Sequence, residues 1–172
     1  MDKGGQGAKP RIVVDASVVV KWIIPGEPWE EQARAIAEKI VSGVVEAYAP
    51  HLLLYEVASA ILKSILIGAI RLSDGIEALE ALEHLGISVQ TIGWSDLKEI
   101  LELAVTTKLT IYDSVYLHLT KKIGAQLITA DSQLKQKGEN VTEIILLKDL
   151  ISEENLQSCK KRTKAGFGLR AL

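Results

Sequence analysis

The chain has 172 residues and a mass of 18.7 kDa, which corresponds to one domain of ordinary size. Hydrophobic residues make up 48% of it and charged residues 24%, which excludes disorder for most of its length. The single cysteine, Cys159, excludes a disulfide framework and a cysteine-ligated zinc site. The net charge of -2 is unevenly distributed, because residues 156–172 carry five basic side chains and no acidic one.

No stretch of the sequence has the character of a signal peptide or of a membrane-spanning helix. Residues 1–10 are polar and rich in glycine, and we expect them to form a mobile N-terminal tail. The most apolar stretch, residues 49–70, contains His51, Glu56 and Lys63, which a helix in lipid rarely tolerates. We therefore expect a cytoplasmic protein that does not contact the membrane.

Short apolar runs alternate with helical patterns along residues 11–152. Strands are predicted at 11–14, 44–49, 87–92, 126–129 and 143–147. Apolar residues at helical spacing predict helices near 29–42, 50–67, 73–85, 95–105, 110–123 and 132–138. This alternation predicts an α/β fold in which a parallel sheet has helices on both faces. Residues 153–172 are polar and then basic, and we expect them to be an extension of this domain.

Two aspartates follow strands of the predicted sheet, at the edge where parallel sheets bind their ligands. Asp15 ends the first predicted strand, and Asp131 follows the fourth. Either residue alone is more simply interpreted as the cap of the next helix, a common use of aspartate. Two such residues at the carboxyl edge of one sheet favour a functional site.

Two further carboxylates lie in apolar surroundings. Glu56 has mostly apolar neighbours, and burying an unpaired carboxylate is costly, so either a site or a partner such as Lys63 or Arg71 would explain it. Asp113 lies in the first turn of an apolar helix, where interaction with the helix dipole is the alternative explanation. Four clustered carboxylates would repel one another, and their oxygen ligands favour Mg²⁺ or Mn²⁺ over Zn²⁺.

The segments around these acids resemble the PIN-domain family of metal-dependent ribonucleases. They are Val13-Val14-Asp15-Ala16-Ser17, Tyr55-Glu56-Val57, Tyr112-Asp113-Ser114-Val115-Tyr116-Leu117 and Leu127-Ile128-Thr129-Ala130-Asp131. Their order and spacing across residues 11–150 are most similar to the toxin half of prokaryotic VapBC toxin–antitoxin pairs. The resemblance implies a PIN-like fold with a central five-stranded parallel sheet, in which the first strand is central and adjacent to the fourth.

The same resemblance implies an endoribonuclease that uses Mg²⁺, or Mn²⁺, to hydrolyse RNA phosphodiester bonds by in-line attack of water on phosphorus. The family's acidic positions, which hold the metal and serve catalysis, fall on Asp15, Glu56, Asp113 and Asp131. Its supporting hydroxyl positions fall on Ser17 and Thr129. No histidine pair is placed for a metal-free mechanism, and structural or surface roles are expected for His51, His84 and His118.

Partners are suggested by charge and by apolar surface. A basic run in the extension either contacts the RNA backbone or is a solvated tail, and it consists of Lys160, Lys161, Arg162 and Lys164. The helix predicted at 50–67 has more apolar surface than one face of a sheet requires. We therefore expect a homodimer, with a helical segment of a cognate antitoxin bound nearby.

Three alternative functions are compatible with a strand-terminal aspartate. A haloacid-dehalogenase-like phosphatase would need a second aspartate at position 17, where this chain has Ser17. A receiver-like signalling module would need an aspartate after the third strand, which is followed here by Gly93-Trp94-Ser95. A PIN fold that only binds RNA or protein is the third, and the presence of all four acids argues against it.

Overall fold

The computed structural model describes residues 8–150, in which five parallel strands form one sheet. The strands are β1 (Arg11–Val14), β2 (Glu46–Pro50), β3 (Ile87–Gln90), β4 (Gln126–Thr129) and β5 (Ile144–Leu146). Their order across the sheet is β3-β2-β1-β4-β5, so β1 is central and pairs with β4. This confirms the predicted sheet and its strand adjacency. Outside the described residues lie most of the predicted tail and the whole basic extension, including Lys160, Lys161, Arg162 and Lys164.

Helices cover both faces of this sheet. In the described part of the chain they are α1 (Ala16–Val19), α2 (Glu30–Val41), α3 (Leu52–Leu66), α4 (Leu72–Glu83), α5 (Trp94–Thr107), α6 (Ile111–Ile123) and α7 (Ser132–Gly138). Helices α1 to α4 contribute to the apolar core on one face, and α5 to α7 to the core on the other. Every helix between residues 8 and 150 is too short or too polar to cross a membrane.

Helices α4 and α5 begin earlier than the sequence pattern predicts. In each, the aspartate at the third helical position accepts a hydrogen bond from the backbone N–H of the residue that precedes the helix. Asp74 accepts from Arg71 at 3.1 Å, and Asp96 accepts from Gly93 at 2.9 Å. These aspartates therefore stabilise helix starts at Leu72 and Trp94, one residue before the starts at 73 and 95 that the sequence pattern predicts.

The apolar face of α4 is only partly buried. Leu82 and Leu85 pack against the core as the spacing predicts, but Ile76 and Leu79 are 49% and 41% exposed. Contact with α3 is close at Gly75, where an added Cβ would lie 2.7 Å from the Ile61 Cγ2 atom. Part of this apolar face therefore stays exposed, and an apolar surface remains beside α3.

A buried histidine and several charged side chains join α5 to α6. The His118 Nε2 atom lies 3.1 Å from Asp96 Oδ1, while Nδ1 lies 3.2 Å from Glu99 Oε2 without the alignment of a hydrogen bond. Lys122 donates to Asp96 Oδ1 at 2.7 Å, and Lys121 donates to Glu99 Oε1 at 2.7 Å. His118 thus lies in a structural contact between two helices, as one of the predicted alternatives states.

Acid is expected to weaken this contact between α5 and α6. The Lys122 ammonium, together with the Gly93 N–H, holds the pKa of Asp96 at about 2, below the value of about 3.9 for an unfolded aspartate. Its stabilising effect is therefore complete above about pH 4 and is lost as the pH falls towards 2. When the pH is lowered from about 4 to 2, the free energy of unfolding measured in urea should fall less in Asp96→Asn than in the unmodified protein.

Glu102→Gln is the matched control for this experiment, because Glu102 is exposed on the same helix. It should show the pH dependence of the unmodified chain. If Asp96→Asn shows that same pH dependence, the assignment of acid sensitivity to the Asp96–Lys122 pair is wrong.

Candidate active site

The ends of β1 and β4 bring two of the predicted acids to one edge of the sheet. Val14 is paired with Ile128 in the register of these strands, and the Asp15 N–H donates to the Ile128 carbonyl at 3.0 Å. Asp15 and Asp131 therefore both follow adjacent strands at the carboxyl edge. Asp15 is buried there, with 8% of its surface exposed.

The Asp15 carboxylate is held by hydroxyl groups. Although Asp15 is the residue before α1, its side chain makes no capping hydrogen bond. Ser17 Oγ and Thr129 Oγ1 both donate to its Oδ2 atom, at 2.5 and 2.6 Å. The capping interpretation is therefore wrong for Asp15. The two hydroxyls that the family resemblance marks as supporting groups do contact it.

These hydroxyls also connect Asp15 to the backbone that follows β4. Ser17 Oγ accepts from the Ala130 N–H at 2.9 Å, and Thr129 Oγ1 accepts from the Asp131 N–H at 3.0 Å. Each hydroxyl is thus an acceptor from backbone and a donor to Asp15 Oδ2. These contacts leave the carboxylate little freedom to rotate.

Asp131 and Asp113 do act at helix ends. Asp131 Oδ1 accepts from the backbone N–H groups of Gln133 and Leu134 at 2.7 and 3.2 Å, which caps α7. Asp113 Oδ2 accepts from the Thr110 hydroxyl at 2.7 Å, within a capping box at the start of α6. Asp131 therefore caps a helix, as its structural alternative states, and Asp113 has a hydrogen-bonding role at a helix start that the dipole alternative did not include. In both cases the capping bonds occupy one carboxylate oxygen.

Glu56 has a different partner from those expected. Tyr116, a buried residue of α6, donates its phenolic O–H to Glu56 Oε2 at 2.7 Å. In the described part of the chain this bond takes the place expected for Lys63 or Arg71. In the sequence, helical spacing places Tyr116 only on the apolar face of α6. Its position three residues after Asp113 was the available signal, since that spacing places both on one helix face.

Burial and mutual repulsion raise the pKa of two of these carboxyl groups. The pKa of Asp15 is raised by burial, an effect that the hydroxyl donors oppose and the charge of Asp113 reinforces. The pKa of Glu56 is raised by burial and by the charges of Asp15 and Asp113, and lowered by the bond from Tyr116. Burial and the nearby Asp15 also raise the pKa of Tyr116, which keeps its phenol protonated.

The donor chemistry of this edge fits a hard divalent cation. Asp15, Glu56 and Asp113 interact electrostatically, and all offer carboxylate oxygens, the ligands that Mg²⁺ and Mn²⁺ prefer. A cation among them would relieve the repulsion that contributes to the raised pKa values of Asp15 and Glu56. Over residues 8–150, no three acidic, histidine or cysteine side chains form a ready-made metal cluster. Each of the four acids instead accepts hydrogen bonds from the protein.

Known proteins are similar in sequence to most of this chain. The model of the PIN domain family matches residues 12–140 of this chain. Ribonuclease VapC3 from Pyrobaculum aerophilum is 33% identical to it over 128 residues, which cover 74% of this chain and 94% of that protein. The family match thus includes all four segments that carry the resemblance.

Solved structures share the fold. PAE2754 from Pyrobaculum aerophilum has a TM-score of 0.60 at 22% identity, covering 89% of this chain and 99% of its own. VapBC2 from Rickettsia felis, bound to a promoter DNA fragment, has a TM-score of 0.60 at 11% identity, covering 79% and 98%. At these identities the structures show the fold alone. Together with the family match over most of the sequence, they lead to the conclusion that this chain belongs to the PIN domain family.

Proposed function

We propose that this protein is a metal-dependent endoribonuclease and the toxin of a VapBC-type toxin–antitoxin pair, acting in the cytoplasm. The observation that carries the proposal is the arrangement of the acids: Asp15 and Asp131 follow adjacent strands, and Glu56 is hydrogen-bonded to α6, the helix that also carries Asp113. The similarity to a protein named ribonuclease VapC3 supports RNA as the substrate.

In this proposal the four acids hold Mg²⁺ or Mn²⁺ through oxygens outside their hydrogen bonds to protein. When bound, the cation supplies Lewis-acid chemistry that neutralises charge developing on the phosphate and favours attack of water on phosphorus. Ser17 and Thr129 hold Asp15 through Oδ2, which leaves Oδ1 as the ligand atom.

Glu56 completes the ligand set in the same proposal. Its Oε2 atom accepts from Tyr116, so Oε1 is the oxygen that would contact the cation. A cation there would favour the charged form of Glu56, against the burial and the acidic neighbours that raise its pKa.

The exposed apolar surface supports the proposed protein partners. A groove of about 380 Å³ lies between α3, α4 and β3, and its walls include Leu54, Leu79, Leu82 and Val89. Leu62 and Leu66, further along α3, are 56% and 77% exposed. We propose that an amphipathic helix of the antitoxin binds this groove and that the chain forms a homodimer. A strictly monomeric protein in light scattering at micromolar concentration would contradict the dimer.

The cleavage assay is the direct test of the proposed function. The purified chain is expected to cleave single-stranded RNA in Mg²⁺ or Mn²⁺, and EDTA should lower the rate by at least about 100-fold, because the carboxylate cluster then lacks its Lewis acid. Adding excess Mg²⁺ after EDTA should restore cleavage, which shows that the protein is still folded.

Other outcomes identify the alternatives. Equal cleavage with and without EDTA would rule out the metal-dependent reaction. Hydrolysis of small phosphoesters without RNA cleavage would favour a phosphatase. RNA binding without cleavage in any divalent metal would favour a PIN fold that serves only in binding.

A further inference from the structure

We propose that Tyr116 is a positioning residue for Glu56, whose carboxylate it holds so that Oε1 is available to a divalent cation. This inference rests on the proposed metal-dependent function. It assigns a role to a side chain of the core that lies outside the four acids and the two supporting hydroxyls.

The first observation is the rigidity of the donor. Tyr116 is 2% exposed, and its ring belongs to the apolar core that includes Val13 of β1 and Leu127 of β4. Close packing of this core keeps the ring from turning away. The phenolic O–H still reaches Glu56 Oε2 at 2.7 Å, across 60 residues of sequence. A fixed ring therefore presents a fixed donor to α3.

The second observation is the freedom that Glu56 would otherwise have. Glu56 is half-buried on α3, and the charges of Asp15 and Asp113 act against its ionised carboxylate. A long glutamate side chain without a donor would turn away from this repulsion. The bond from Tyr116 opposes that movement and leaves Oε1 as the oxygen for a ligand.

The third observation is that every other acid of the site has its own fixed donors. Asp15 has two hydroxyls, Asp113 has the Thr110 hydroxyl, and Asp131 has two backbone N–H groups. Tyr116 supplies the corresponding contact for Glu56. Because the phenol is uncharged, it orients the carboxylate without competing with a cation, as outer groups of metal sites do.

Tyr116→Phe is the deciding variant, because it removes the hydroxyl and keeps the ring in the core. Tyr48→Phe is its matched control, since the Tyr48 hydroxyl donates to Glu46 Oε2 at 3.1 Å in an exposed position. Mn²⁺ binding to the full chain, measured by electron paramagnetic resonance without RNA, should weaken by about 10–100-fold in Tyr116→Phe. It should not change in Tyr48→Phe.

A second pair of variants tests whether Tyr116 acts through Glu56. In a Glu56→Gln background, adding Tyr116→Phe should change the Mn²⁺ affinity by less than about twofold, since the two residues form one unit. Thermal unfolding in EDTA checks that all the variants fold. In RNA cleavage, kcat should fall in Tyr116→Phe while KM stays within about twofold.

The outcomes separate the two proposals. Two results would overturn only the role of Tyr116 and leave the proposed function standing. One is an unchanged Mn²⁺ affinity in Tyr116→Phe, and the other is an equal loss of Mn²⁺ affinity when Tyr116→Phe is added to Glu56→Gln. Absence of Mn²⁺ binding by the unmodified chain overturns both proposals. Mn²⁺ binding that depends on Tyr116, without RNA cleavage, overturns the proposed substrate and keeps the positioning role.

Discussion

Replacing Asp15 by asparagine is expected to reduce RNA cleavage by a factor of about 10³ or more while making the cation-free protein more stable. Asp15 is the most buried of the four acids and lies on the central strand's end. The substitution removes the charge of a proposed metal ligand. When catalytic residues act as a unit, loss of one of them removes most of the rate enhancement.

The stability gain follows from the direction of the pKa shift. Burial raises the pKa of Asp15 in the folded protein, so folding favours its protonated form. The contribution of Asp15 to stability is therefore present below the pKa of the unfolded chain, about 3.9, and is lost as the pH rises through the folded value. At neutral pH the buried charge destabilises the fold, and an uncharged asparagine removes this effect.

Thermal unfolding in EDTA measures this effect. At pH 7 the unfolding temperature of Asp15→Asn should exceed that of the unmodified chain, and the difference should shrink towards pH 4. Asp149→Asn is the control, because Asp149 is exposed and lies in the 3-10 turn Leu147–Asp149. An Asp15→Asn protein that cleaves RNA at the normal rate, or that unfolds at a lower temperature at pH 7, contradicts the assignment.

Leu117→Ala is expected to lower the free energy of unfolding by about 3 kcal/mol. Leu117 is fully buried, in the core cluster that also contains Val13 and Leu127. It also lies against α7, where an added Cβ on Gly138 would be 2.9 Å from its Cδ2 atom. The smaller side chain would leave a cavity between α6, α7 and the sheet. A loss of this size is a large fraction of the stability of about 5–15 kcal/mol typical of a domain.

Urea unfolding at pH 7 in EDTA checks this expectation. Leu101→Ala is the matched control, because Leu101 is 58% exposed on α5 and should change the free energy of unfolding by less than about 0.5 kcal/mol. Equal losses in the two variants would show that the α6 core is less tightly packed than the structure indicates.

The fold and the location of the acids could be predicted from the sequence because both depend on local patterns. Alternating apolar runs and helical spacing predict the parallel sheet, and aspartates directly after strands lie at its carboxyl edge. The adjacency of β1 and β4, and the roles of Ser17 and Thr129, came only from the family resemblance. Spacing alone does not reveal which strands are neighbours.

The remaining features depend on contacts between distant elements. The hydrogen bond between Tyr116 and Glu56 joins two helices, and in a helical pattern Tyr116 is an ordinary core residue. Periodicity indicates that Ile76 and Leu79 share a face with Leu82, but it does not indicate how far the core extends beneath that face. The sequence pattern likewise leaves open which strand-terminal aspartate caps a helix and which does not.

The hydrogen bond from Thr129 to Asp15 has a consequence for when activity can arise. These residues are 114 positions apart, so the buried acid gains this donor only after the chain has been synthesised through β4. A nascent chain that ends before β4 has Asp15 and Glu56 but lacks the strand that completes the pocket around Asp15. For the proposed toxin, a chain that is still being synthesised therefore cannot form the complete site before β4 has been made.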